Sequence, residues 1–201
     1  MSGRSLAPRP LGSQRSLSAF DDPMDHLEPV RKRVREAPIE PAPAPWVQAG
    51  TWAVGGLIEV GFGREADLLL VVSWQGRAVF HPATRTRVAR DHEQPDDTWY
   101  DEFSLLAHGI GPLADQRVPL AGLHGGGLAA TTRDGWWTES ITLAWPDEHL
   151  LLGGPHGSIH EAETSFVKIA VESEVRAFGF SASGRTLVVA TSSDLQLYTR
   201  T

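Results

Sequence analysis

Two stretches of this chain decide how its fold is read: Val60-Gly-Phe-Gly-Arg-Glu-Ala-Asp-Leu-Leu-Leu-Val-Val-Ser-Trp-Gln-Gly-Arg-Ala-Val-Phe80 and Phe178-Gly-Phe-Ser-Ala-Ser-Gly-Arg-Thr-Leu-Val-Val-Ala-Thr-Ser-Ser-Asp-Leu-Gln-Leu-Tyr198. Shifted by 118 residues, they align without a gap. Gly61, Phe62, Leu69, Val71, Val79 and Phe80 meet Gly179, Phe180, Leu187, Val189, Leu197 and Tyr198. Each copy reads as a strand ending in an aromatic, a polar turn, a fully apolar strand, a tight turn, and a strand with alternate residues apolar. A fully apolar middle strand implies burial on both faces. The polar turns Arg64–Asp67 and Ser181–Arg185 carry the residue types that such connections need. Phe62 and Phe180 are expected to be equivalent buried anchors.

A looser third copy runs from Leu143 to Ile159, with Trp145 in the aromatic position, and a fourth unit is expected by spacing near Phe103. Asp134-Gly135 is a hairpin signal between strands expected at Ala129–Arg133 and Trp136–Leu143. The final unit stops short of a fourth strand, whereas Trp46–Val54 precedes the first unit without a repeat partner. Pairing these two ends would remove two exposed edges, so the Trp46–Val54 segment is expected to join the C-terminal hairpin.

Repeats of about 40 residues with several strands each are the sequence sign of propeller blades. Val175 to Asp194 resembles the inner strands of a WD40-type β-propeller blade, and Ile58 to Phe80 does so more faintly. Tyr198-Thr199 stands where that family has Trp-Asp, and no Gly-His dipeptide occurs. The resemblance implies an all-β, propeller-like array over residues 46–201, with a compact β-sandwich as the alternative, and it implies an interaction platform.

The rest of the chain bounds what that platform does. With 41% hydrophobic and 21% charged residues, the chain has the composition of a globular protein large enough to bury a core. It has no cysteine, which excludes disulfides, thiolate metal sites and thiol nucleophiles and fits a reducing compartment. The longest apolar run, Leu68–Val72, is far too short to cross a membrane. The first residues lack the apolar core of a secretory signal. A net charge of −7 argues against nucleic acid and anionic membrane and favours a basic protein partner, in a cytoplasmic setting.

Residues 1–45 hold eight of the fourteen prolines and all of the short basic run Arg31-Lys32-Arg33-Val34-Arg35. Their composition predicts a disordered arm with a polyproline tract at its end. One short helix is expected around Asp25–Glu36, with Leu27, Val30 and Val34 on one side and Pro29 in its first turn. Acidic neighbours balance the basic run, so a solvated face outweighs a localisation or phosphate-binding signal. Met24 is an alternative start.

Several constellations invite chemistry. Leu123-His-Gly-Gly-Gly-Leu128 has the form of an oxyanion loop, but no Gly-x-Ser-x-Gly elbow accompanies it, so it reads as a glycine-rich turn. His156 and His160 lie in turn and strand, about 13 Å apart if on one strand, and read as surface residues rather than metal ligands. The stretch Asp91–Glu102 packs six carboxylates around Trp99 and Tyr100. Aromatics in a charged loop either tuck into the core or anchor an interface. Trp136 and Trp137, being adjacent, must point to opposite faces of a strand.

The expectation is therefore a non-enzymatic protein-binding module, with an immunity or inhibitor protein as one variant. Its binding residues would be Asp96, Asp97, Trp99, Tyr100, Asp101, Trp136 and Trp137. No catalytic residue, metal or cofactor is assigned. The competing class is a hydrolase-like enzyme whose loops bring His124, His156 or His160 to the carboxylates of Asp96 and Asp97. A convergent His/carboxylate pocket would favour the enzyme, and an exposed aromatic patch beside acidic loops would favour the binder.

Overall fold

The computed structural model describes residues 27–64 and 67–200. One helix, α1 (Glu28–Glu36), precedes β1 (Val47–Ala53), β2 (Leu57–Phe62), β3 (Leu69–Ser73), β4 (Gly76–His81) and β5 (Thr86–Arg90). The short strands β6 (Tyr100–Asp101), β7 (Leu106–His108), β8 (Arg117–Pro119) and β9 (Ala121–Gly122) follow. The chain continues through β10 (Trp137–Ala144), β11 (Asp147–Gly153), β12 (Phe166–Ser173), β13 (Val175–Phe180), β14 (Thr186–Thr191) and β15 (Asp194–Thr199). These make four antiparallel sheets, none closed on itself: sheet I (β5-β4-β3-β2-β9), sheet II (β6-β7-β8), sheet III (β10-β11-β12) and sheet IV (β1-β15-β14-β13). No helix among the described residues is long and apolar enough to cross a membrane.

The internal repeat is reproduced in strand register. Phe62 pairs with Leu69 and Leu69 with Phe80 in sheet I; Phe180 pairs with Leu187 and Leu187 with Tyr198 in sheet IV. The polar turns match as well. Gly63 donates its N–H to the Leu68 carbonyl, and Ser181 donates to Thr186 at the aligned position. The two ends of the chain meet as expected, because β1 runs antiparallel to β15 from Val47 opposite Thr199 to Ala53 opposite Asp194.

The apolar middle strands explain how the sheets stack. Alternate residues of a strand face opposite ways. Leu69 and Val71 of β3 therefore meet Val188 and Ala190 of β14 in one core between sheets I and IV. Leu70 and Val72 face away, into a second core with Trp99, Tyr100, Ala107 and Val118 of sheet II. Leu187 and Val189 likewise face a third core with Leu150, Leu152 and Trp136 of sheet III. The sheets thus pack face to face in the order II, I, IV, III.

The outer face of sheet III is covered by the helix. Val30 and Val34, one turn apart, pack on Trp137, Leu151 and Ile159. Arg33 donates to the carbonyls of Ile159, Glu161 and Thr164, and the buried Lys168 ammonium donates to the Val34 carbonyl at 2.9 Å. Glu40 N–H then bonds Lys168, and Trp46 is only 1% exposed. Residues 27–45 are consequently docked, which corrects the expected disordered arm over that span. Two valines are too few to signal a core by composition, and their partners lie more than a hundred residues away. Residues 1–26, including Met24, lie outside the described residues.

Two anchors of the looser copies also differ from expectation. Trp145 is 89% exposed on the β10–β11 turn and Phe103 is 92% exposed on the β6–β7 turn. Phe180 is fully buried, whereas Phe62 is half-buried. The Asp134-Gly135 turn forms, with Thr132 N–H bonding the Trp136 carbonyl, but its incoming arm makes only isolated bridges at Ala129 and Thr131.

Candidate interaction groove

The acidic loop after β5 is held down by one buried arginine. Arg77 forks onto Asp91, with Nε to Oδ2 at 2.8 Å, while its own backbone N–H bonds Asp91 Oδ1. The guanidinium also reaches Glu93 at 3.3 Å and the His108 carbonyl at 2.8 Å, and lies 4.1 Å from the centre of the Trp99 ring. An arginine so paired satisfies a charge that burial would otherwise penalise, and it fixes the loop against sheets I and II.

Two carboxylates of that loop shape its turns. Asp96 Oδ1 accepts the Thr98 N–H and hydroxyl, and Asp101 Oδ1 accepts the N–H groups of Phe103 and Ser104 at 3.0 Å. These side-chain and backbone bonds hold both carboxyls below the usual carboxylate range. The Asp101 turn points Phe103 outward. Asp97 is exposed, and no side chain among the described residues pairs with it.

Across from this loop stands Trp74, on the two-residue turn between β3 and β4. Its backbone N–H bonds the Gly56 carbonyl at 3.0 Å, and the ring packs over Gly56, whose φ of +70° favours glycine. Trp74 remains half exposed. Trp74, Asp96, Asp97, Asp101, Glu102 and Phe103, with Pro95, Tyr100 and Arg117, line a groove of about 430 Å³. That volume lies within the range of small-ligand and side-chain pockets. Four carboxylates face one guanidinium there.

Behind the groove lies a polar cluster. His124 Nδ1 is 3.2 Å from Oε1 of the fully buried Glu59 and 2.8 Å from the Tyr100 hydroxyl, and its Nε2 is 3.5 Å from Glu102. Burial, and then the charge of Glu59, push the Tyr100 phenol far up, so it stays protonated. Among the described residues, the other Glu59 oxygen has no hydrogen-bond partner.

Of the residues expected to bind, Asp96, Asp97 and Asp101 come together in the groove. The four aromatics are buried. Trp99 and Tyr100 are 6% exposed in the core under sheet II, and only one side of Tyr100 reaches the groove. Trp136 and Trp137 do point to opposite faces of sheet III, but both faces are covered, by Trp46 and sheet IV on one side and by α1 on the other. Sequence reasoning missed Trp74, Glu102 and Phe103 as groove residues. The signal for Phe103 was an aromatic following an Asp that caps a turn. Among the described residues, His124 is the enzyme candidate within 3.5 Å of carboxylates, and these are Glu59 and Glu102 rather than Asp96 and Asp97. His156 and His160 are exposed in the segment after β11, and no group of residues among those described could hold a metal ion. No protein-family model, curated protein or solved structure matches this chain.

Proposed function

We propose that this chain is a non-enzymatic protein-binding module that seats a basic segment of another protein in the groove between Trp74 and Phe103. The observation that carries it is a 92% exposed phenylalanine and a half-exposed tryptophan beside Asp97 and Glu102 in one cleft. Large exposed aromatics rimmed by charge mark interaction sites. The scaffold is read as a small propeller-like array with four blades of the WD40 type. Support comes from four stacked antiparallel sheets, the shared register of sheets I and IV, and the N-terminal strand that completes sheet IV. The absence of cysteine fits a cytoplasmic location, and an immunity or inhibitor protein remains one variant of this reading.

Affinity capture with the full chain tests it. The expected outcome is a basic partner whose recovery falls with salt and is lost with the Trp74→Ala/Phe103→Ala pair, but not with Trp145→Ala. A partner retained equally by all three proteins would sink the groove as the binding surface.

A hydrolase-like second reading rests on the His124 imidazole, which has carboxylates at both nitrogens. Its hydrogen-bonding neighbours are a phenol and carboxylates, with no serine or threonine hydroxyl among them to act as nucleophile. Turnover of a chromogenic ester that His124→Gln abolishes would favour this reading.

A further inference from the structure

The proposed groove carries a more specific chemistry than acidity. Of its two turn-forming carboxylates, Asp101 spends both oxygens on the N–H groups of Phe103 and Ser104 and the Ser104 hydroxyl, and Asp96 spends Oδ1 on the N–H and hydroxyl of Thr98. Arg117 lies on the Asp101 side, with its Nε 3.2 Å from His108 Nε2, and its charge offsets that of Asp101. Asp97, and Glu102 with its exposed side chain and one oxygen 3.5 Å from His124 Nε2, are the carboxylates that do not close a turn, in a groove lined also by the rings of Trp74 and Phe103.

The same molecule shows twice what such a combination holds. Arg77, 4.1 Å from the centre of the Trp99 ring, brings Nε and a terminal nitrogen onto Oδ2 of Asp91 and reaches Glu93. Arg200 lies 5.0 Å from the Trp46 ring centre while both its terminal nitrogens bond Asp134, at 2.6 and 2.7 Å. In each case one guanidinium meets an aromatic ring and a carboxylate at once. A guanidinium can do this because it is planar, weakly hydrated and donates in a fixed fork. A lysine ammonium is a compact, strongly hydrated point charge and gains little from the ring while it serves the carboxylate.

We propose that the groove recognises an arginine side chain of the partner in preference to lysine, stacked on Trp74 or Phe103 with its fork on Asp97 and Glu102. This rests on the protein-binding reading of the groove and names the residue that it reads.

The experiment is a titration of the isotope-labelled full chain with three short peptides. They are acetyl-Gly-Ser-Arg-Ser-Arg-Gly-amide and its counterparts with lysine or citrulline at both basic positions. The Trp74 indole N–H resonance, assigned with Trp74→Phe, is the reporter. The arginine peptide should shift it and saturate at about tenfold lower concentration than the lysine peptide. Citrulline, which keeps the plane and loses the charge, should leave it in place. The Asp97→Asn/Glu102→Gln protein, whose changes are at the surface, should lose the preference. Equal response to arginine and lysine would overturn the arginine inference and leave the basic-segment reading standing. No response to either peptide would overturn both.

Discussion

Sheets I and IV are two copies of one sequence pattern, and they differ at their edges: β9 adds a strand beside β2 in sheet I alone, and the outer strands have different origins. In both, three strands follow one another in the chain with the same register, and the middle strand is buried on both faces. Sheet I takes its outer strand from the next residues, β5, which is largely exposed. Sheet IV takes its outer strand from the other end of the chain, β1, which brings Trp46 and Ala49 into the core beside it. The inner triplet is thus a local unit that folds wherever its pattern occurs. The fourth strand is supplied by whatever the topology leaves within reach. The copies are also tied to each other, because Asp67 in the first polar turn accepts the hydroxyls of Ser183 in the second and of Thr186 at the start of β14.

The equivalence should break most visibly at the anchors. Phe180→Ala removes a fully buried ring packed on Trp46 and is expected to cost about 3–5 kcal/mol in urea unfolding. Phe62→Ala removes a half-buried ring and should cost roughly half as much. Equal losses would mean that the two copies are energetically as well as geometrically the same.

The outer strands give the next contrast. Trp52→Pro, compared with Trp52→Ala, removes the ladder N–H opposite Leu195, and Ala89→Pro removes the one opposite Val79 in β5. Trp52→Pro should strip hydrogen-exchange protection from Leu195 and Leu197 and lower stability by about 2–3 kcal/mol more than Trp52→Ala. Ala89→Pro should affect β4 alone and cost about 1 kcal/mol. If the two substitutions are equally mild, β1 is an ornament of sheet IV rather than its completion.

The tie between the copies is smaller. Asp67→Ala is expected to cost about 1–2 kcal/mol, and a double-mutant cycle with Ser183→Ala should show coupling between the two. Strict additivity would show that the bond contributes nothing.

The smallest contrast is chemical. Where sheet I places Phe80, sheet IV places Tyr198, whose phenol is raised by burial and by Glu172 from 10.0 to about 12. A folded-state value above the unfolded one stabilises the fold fully below pH 10, and that stabilisation is lost as pH rises toward 12. Tyr198→Phe should therefore change stability little at neutral pH and flatten the alkaline limb. Tyr100, also raised, should leave part of that slope in place. An unchanged alkaline limb in Tyr198→Phe would place the titration elsewhere.

Much of the scaffold was legible because a strand declares itself over a few residues. The unbroken run Leu68–Val72 required two covered faces, and the 118-residue self-alignment carried over into register, down to a bulge at the aligned place in each copy, Leu57/Glu59 and Val175/Ala177. Adjacent Trp136 and Trp137 had to point apart, and they do. The groove was half legible. The density of Asp96, Asp97 and Asp101 marked the loop, but burial of its own Trp99 and Tyr100 depended on where Arg77 would hold it.

Unmatched edges in the repeat implied that β1 would join the C-terminal hairpin, and the local pattern by itself determined the all-β class, the inner strands of sheets I and IV and their polar turns. Period and turn chemistry act between near neighbours, so one stretch of chain contains all that they need. Only the tertiary structure decided that Val30 and Val34 cap sheet III, that Trp145 and Phe103 face outward while Phe180 faces in, and that Trp74 meets Asp97 and Glu102 in one groove. Each of those outcomes depends on which faces remain uncovered once four sheets have stacked. Burial is set by surfaces that meet from distant parts of the chain, and a side chain's immediate neighbours in sequence carry no record of them.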